Sequence, residues 1–453
     1  MTAAVARFST KAKVVVFLAL LALVLLGGGW LVLRDEGPPN DAHLRSLRRI
    51  VTNEENGFRL VDSEEETRVD PGEPDLEWSS VIFDRAQAAE LIEKNQSVLE
   101  RVDQCLALPD FQVDVVAIMG PYPYLLAWRD IRRVLAIRAR LHLESGRPRD
   151  ACEDGLRMVR FGRRIQSSQG FLIVHMHGTN VESSGFVSLV YTAIRGDLPV
   201  DALRRGIEVL NEDLPVAQWL QDSLKAEYVG ISGIIDDMAE GKVVDALQMG
   251  FAYWLLRRPL FKPNETKRFL CEDIGLLISA TSLPHHERVP LDAGKYERNW
   301  LGRFTGGSKF LAGLMVPQYE SILTCADLLR FQNAATLALL ALQLARAETG
   351  ALPASLDELV PRYLPSVPLD PFDGKPLRYS ASKQVIYSVG TDAKDAGGLD
   401  QADPMEAFGD EAEPTLRFSA EAWDLDAMEK RKQSGESVKT KRAKKVSPPR
   451  TRP

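Results

Sequence analysis

An uncharged run of twenty residues, Val14 to Leu33 (VVVFLALLALVLLGGGWLVL), constrains this chain more than any other feature. Coiled as a helix rising about 1.5 Å per residue, it reaches about 30 Å, the thickness of a bilayer's hydrocarbon core. The sequence therefore predicts a short basic N-terminal segment over 1–13 and a single transmembrane helix over 14–33. A cleaved signal peptide requires a shorter apolar region and a small-x-small site, for which Gly27 to Gly29 is a poor substitute. Arg7, Lys11 and Lys13 on one side compete with Arg34, Arg45, Arg48 and Arg49 on the other, so the charge rule alone does not orient the span. Asp35 and Glu36 partly offset Arg34, and a short basic N-terminus before an uncleaved span most often stays inside. The expectation is N-in, with the bulk of the chain periplasmic or otherwise extracytoplasmic.

The remainder has the composition of an ordinary globular protein, 45% hydrophobic and 26% charged, and 453 residues suit two or three folded units. The net charge of −7 gives no basic field for nucleic acid, and no specific nucleic-acid partner is expected. The exception is Lys430 to Arg452, where ten Lys or Arg face one acid, Glu436, after a stretch rich in Asp and Glu. Residues 401–453 accordingly read as an acidic then basic disordered tail. Cys105, Cys152, Cys271 and Cys325 are too far apart for a CxxC zinc site. They read as core residues or, outside the cytoplasm, as one or two disulfides whose pairing the spacing does not define.

Residues 34–77 carry GPP, PGEP and the acidic run Glu64 to Glu66, a linker composition with a short strand expected around Phe58 to Val61. Residues 78–330 read as a helical domain. In WRDIRRVLAIRARLHLESG, Ile131, Val134, Leu135, Ile137 and Leu141 form a wide apolar stripe, with Arg132, Arg133, Arg138 and Arg140 outside it. Gly146 stops that helix and Pro148 opens the next, where Ala151, Gly155, Met158 and Gly162 make a small-residue face suited to close packing. This Gly146–Ala151–Met158 spacing, near 129–165, resembles the central part of a tetratricopeptide unit. No 34-residue recurrence accompanies it, so the expected fold is mainly α, an irregular array of helical hairpins.

The most specific stretch is C-terminal. An apolar helix, FQNAATLALLALQLARAETG, runs into LPASLDELVPRYLPSVPLDPFDGKPLRYSASKQVIYSVGTDAKDAGG. Prolines 361, 365, 368 and 371 exclude a continuing helix, Asp373-Gly374 is a turn pair, and LRYSA opposite VIYSV predicts two antiparallel strands. At Leu352-Pro353, Leu356, Leu359 to Pro361, Tyr363 to Pro365, Pro368 and Asp370-Pro371 the chain resembles the globular half of the major pseudopilins of type II secretion. Gly374, Pro376, Tyr379, Tyr387-Ser388, Gly390, Asp392 and Gly397-Gly398 continue the pattern. The resemblance covers 331–400 and implies a small α+β unit, a short antiparallel sheet packed on the preceding helix. It also implies calcium in the loop after the last strand, with Asp392 at a ligand position and Asp395, Asp400 and Ser388 beside it. No other cofactor is expected. The N-terminus, RFSTKAKVVVF, lacks the peptidase site of prepilins, which separates this chain from processed filament subunits.

No GxSxG elbow, HExxH, P-loop or strand-following GxGxxG occurs. The leading expectation is a membrane-anchored envelope protein, linked to secretion or envelope assembly, whose helical domain is a scaffold that binds another protein and is not an enzyme. The alternative is a metal-dependent enzyme that folds His175, His177, His285 or His286 into one site with nearby acids.

Overall fold

The computed structural model describes residues 34–45, 48–62, 79, 83–114, 118, 120–240, 262–288, 319–399, 404–425 and 427–428. The predicted span over 14–33 lies outside them. The described chain is mainly helical with one small three-stranded antiparallel sheet. It divides into two units, the first holding 34–45, 227–240 and 262–277, and the second most of the rest.

The helices are α1 Arg85–Lys94, α2 Gln96–Ala107, α3 Pro123–Glu144, α4 Pro148–Gln166, α5 Leu172–Arg195, α6 Val200–Leu210, α7 Val216–Glu240, α8 Pro263–Ala280, α9 Tyr319–Thr349 and α10 Pro404–Phe408. In the first unit the later turns of α7 bury Tyr228, Ile231, Ile235 and Met238, and α8 buries Phe269, Leu270, Ile274 and Leu277. The two run antiparallel, with Lys267 of α8 bonded to Asp236 of α7. Residues 35–44, expected to be part of a free linker, are instead bound here. Asp35 accepts from the backbone N–H of Asn264 and Glu265 at 2.9 and 3.2 Å, and Leu44 is fully buried. Asp35 thus satisfies two of the N–H groups that the first turn of α8, opened by Pro263, leaves unpaired.

In the second unit, α4 and α5 pack with almost no space between their backbones. Gly155 and Gly162 of α4 face Gly178 and Gly185 of α5, and both pairs are seven residues apart. A Cβ on Gly162 would stand 2.5 Å from the backbone nitrogen of Glu182, and one on Gly178 would stand 2.8 Å from the Gly162 carbonyl. The small-residue face expected on α4 is real, and the approach it allows is backbone to backbone. The apolar stripe of α3 is buried at Ile131, Val134, Leu135 and Ile137. Arg138 and Arg140 depart from expectation, because they too are buried. Arg138 donates two hydrogen bonds to the fully buried Asp154 of α4, and Arg140 reaches Glu144 one turn on.

Phe58 and Val61 also depart from the linker reading. They lie in a core with Phe111, Tyr124, Trp128 and Phe161, where Trp128 donates its indole N–H to the Val61 carbonyl at 2.9 Å. The expected strand there is a single 3-10 turn, Gly57–Leu60, opened by the Asn56 side chain, which accepts from the Phe58 N–H. Phe58 and Val61 bury against the aromatic cluster apolar area that a solvated linker would leave exposed.

Helix α9 carries the second core. It begins at Tyr319, so no boundary falls at residue 330. Its Phe331, Ala335 and Leu339 to Leu342 share one apolar cluster with Leu189 of α5, Leu203 of α6 and the residues that follow, Leu356, Leu364, Phe372 and Ile386. Strands β1 Arg378–Ser380 and β2 Val385–Tyr387 pair as expected. A third strand, β3 Thr415–Arg417, falls where the sequence predicts a disordered tail and is the edge partner of β2. Trp423 beyond it is fully buried, so the folded part extends to Met428 at least, and the rest of the tail lies outside the described residues.

Candidate functional site

The turn between Leu369 and Gly374 brings the C-terminal motif together around one carboxylate. Asp370, with no solvent exposure, accepts from the Phe372 N–H at 2.9 Å, Ser388 Oγ at 2.7 Å, the Val389 N–H at 3.1 Å and the Arg378 guanidinium at 2.5 Å. Arg378 forks from Asp370 to Asp373, whose carboxyl is held below its ordinary range; burial opposes this shift and the Arg378 bonds outweigh it. Ser388 Oγ in turn accepts from the Gly390 N–H at 3.0 Å. Every polar atom of this knot has a partner within the protein, the condition for burying charge at tolerable cost.

The loop from Gly390 to Leu399 closes against the segment before β3. Gly390 has φ +63°, and a Cβ there would meet the Ala412 carbonyl at 2.1 Å, so only glycine fits. Asp392 and Asp395 each accept from the N–H two residues on, at Lys394 and Gly397. Their side chains are about half exposed, at 48% and 52%. Glu413, which no motif pointed to, accepts from the Ala396 and Gly398 N–H groups. Burial pushes its pKa up against those two donors, and the negative charges of Asp395 and Asp392 add to the rise. Of the four residues expected around calcium, Ser388 is taken up by Asp370, Asp392 and Asp395 border this acidic loop, and Asp400 lies outside the described residues.

The four candidate histidines sit in two different surroundings. His175 and His177 lie on α5, His175 buried and His177 with its ring 6.1 Å from that of Trp128. His285 and His286 lie in the 3-10 turn His285–Glu287, pinned by backbone N–H donation to the carbonyls of Pro371 and Phe372. His285 Nδ1 is 3.3 Å from Asp327, and His286 Nδ1 is 3.1 Å from the Phe372 carbonyl. Among the described residues no three His, Cys, Asp or Glu side chains are gathered as a metal ion requires, so the histidine enzyme site is not assembled there. The four thiols are free, with Cys105, Cys152 and Cys271 buried, and no disulfide forms among them.

Burial drives the pKa of His175 down to about 4, with the Gln166 carbonyl opposing weakly. His177 falls to about 4 as well, through burial and then through the charges of Arg132 and Arg129. Since the folded pKa lies below the unfolded value of 6.5, the neutral ring is the stable form, and stability is whole above pH 6.5 and lost as pH falls towards 4. At about 1.36 kcal/mol per unit, His175 alone removes roughly 3 kcal/mol across that window. Urea unfolding at pH 7, 5.5 and 4 should show this loss and a shallower slope for His175→Gln. Identical slopes would exclude His175 as the cause. Carboxylates held low by arginines, such as Asp114 beside Arg59, act below this range, under pH 3.8.

Three further buried ionic clusters had no signature in the sequence. Arg163 of α4 joins Glu182 of α5 at 2.8 Å, the Val209 carbonyl of α6 at 2.8 Å and Asn333 of α9 at 3.0 Å, one side chain clasping four helices. Asp154 collects Arg138 and Arg157, with His142 Nδ1 2.9 Å away. Asp327 of α9, fully buried, takes both arms of Arg288 at 2.6 and 2.7 Å, with Arg330 and His285 at 3.3 Å. Arg138, read from the sequence as lying outside the apolar stripe, shows why: a charged side chain marks a buried pair only when its partner is known.

Compared with protein-family models, with curated proteins and with solved structures, the chain matches none.

Proposed function

We propose that this chain is a single-pass membrane protein of the bacterial envelope, N-in, whose helical body is a protein-binding scaffold ending in a pseudopilin-like α+β unit. One observation carries the reading. Asp370, Arg378 and Ser388 of the C-terminal segment, with the Gly390 N–H, bond to one another in a buried knot. A satisfied buried network of this kind rigidifies and specifies a fold, which supports a structural role for this unit. Helix α9 is long and apolar enough to cross a membrane, yet most of its apolar stretch is buried in the protein. It reads as the core helix on which the α+β unit packs.

Alkaline carbonate washing of membranes tests the anchor. The full chain stays in the pellet, whereas a chain lacking residues 1–33 enters the supernatant; release of the full chain would rule the span out. Calcium belongs to this proposal as the ion for the loop after β2, with Asp392 and Asp395 as its half-exposed carboxylates and Asp400 and Ser388 as the other expected ligands. At a hundredfold excess over its dissociation constant, calcium adds about 2.7 kcal/mol of stability. A rise in melting temperature that EDTA reverses and Asp392→Ala abolishes supports the loop as the site, and an unchanged melting curve rejects it.

A further inference from the structure

We propose that the first turn of α8, at Pro263 to Glu265, and the last described turn of α7, at Glu240, lie at the level of the lipid headgroups, so that the first unit touches the membrane. The inference rests on Val14 to Leu33 being the span, and adds to it a distance that the chain itself imposes. Asp35 follows the last apolar residue, Leu33, by two positions, and two residues reach at most about 7 Å. The headgroup layer is itself roughly 5–8 Å deep on each side of the hydrocarbon core. Asp35 therefore cannot leave that layer by much.

That residue is also the cap of α8. Its two carboxylate oxygens accept from the Asn264 and Glu265 N–H groups, and the neighbouring Glu36 carbonyl accepts from the Asn264 side chain at 2.8 Å. The first turn of α8 is thus held one hydrogen bond from a residue in the headgroup layer. The chain then climbs α8 in register. Glu36 meets Arg268 at 2.5 Å, the Asn40 carbonyl lies 3.9 Å from the Cys271 sulfur, and His43 comes within 4.0 Å of a Cβ placed on Gly275. Asp41 meanwhile accepts from Tyr228 on α7 at 2.6 Å. Each later residue of the strap meets a later residue of α8, so the strap and α8 run side by side away from Asp35, and antiparallel α7 returns towards it. In the proposed placement this direction leads out of the bilayer.

The charges at this level are mixed. Lys262 lies 3.7 Å from Glu265, and Arg268 sits between Glu36 and Glu272. With no cluster of basic residues among the described residues at this level, nothing there calls for anionic lipid.

The test is fluorescence quenching in phosphatidylcholine vesicles whose headgroups carry a nitroxide. Full-length protein with Cys325→Ser receives one labelled cysteine, at Lys262→Cys beside the first turn of α8 or at Leu276→Cys, an exposed position near its other end. Thirteen helical residues separate the two ends by about 20 Å, so the label at 262 is quenched about threefold or more over that at 276. Equal quenching in protein that floats with the vesicles overturns this contact and leaves the span standing. Failure of the full chain to float overturns the span, and the contact with it.

Discussion

Replacing Gly162 by leucine is expected to unfold the second unit at temperatures where the native chain is stable, at a cost of about 4 kcal/mol or more. Ordinary overpacking costs about 1–3 kcal/mol because side chains can turn aside. Here the first added atom already meets backbone, the Glu182 nitrogen at 2.5 Å and the Gly178 carbonyl at 2.6 Å. Backbone in the middle of two helices cannot turn aside, so α4 and α5 must separate. Their separation would also stretch the Arg163–Glu182 bond of 2.8 Å and strand two buried charges. Gly233 on α7 is the control. A Cβ there meets nothing within 4 Å, so Gly233→Ala should be neutral or stabilising by up to about 1 kcal/mol, the helix propensity gain. Denaturant unfolding of both variants checks the pair. A cost under about 1 kcal/mol for Gly162→Leu would mean that the helices pack with more freedom than this geometry allows.

The second large effect falls on Asp370. Its replacement by alanine removes four hydrogen bonds and leaves Arg378, mostly buried, with Asp373 and, at 3.9 Å, Asp395, while Ser388 and the Val389 N–H lose their acceptor. Breaking one partner of a buried pair typically costs about 3–5 kcal/mol, most of it the desolvation of the group left behind. The expected result is an early thermal transition in which the sheet and the loop at 390–399 lose amide protection before the α4–α5 core does. Asp370→Ala combined with Arg378→Met should cost at least about 1 kcal/mol less than the two single variants summed, because the pair is then lost only once. If the two costs simply add, the knot owes its stability to Ser388 and the backbone rather than to the ion pair.

Much of the local structure was legible in the chain. The stripe Ile131 to Ile137, the stop at Gly146, the start at Pro148 and the strands flanking residues 381–384 all follow from periodicity and turn chemistry, which act over a few residues. The strand at Thr415–Arg417 was not legible, because three residues inside an acidic stretch carry no period of their own and become a strand only by pairing with β2. The turn at Gly57–Leu60 likewise looks like linker until Trp128, some seventy positions away, supplies the surface that buries Phe58. The histidines were legible as candidates, yet a metal site depends on convergence in space, which spacing along a chain does not report.

By itself the sequence determined which segments are helices, where the antiparallel hairpin turns, and that one apolar run before Asp35 has the length of a bilayer, because each of these depends on neighbours within a few turns of chain. Only the tertiary structure decided what the charged residues do. Whether Arg138, Arg163, Asp327 and Asp370 meet water or a buried partner depends on helices far apart in sequence coming within about 3 Å of each other. The same holds for Asp35, a residue of linker composition whose place was set by two unpaired N–H groups more than two hundred residues further along.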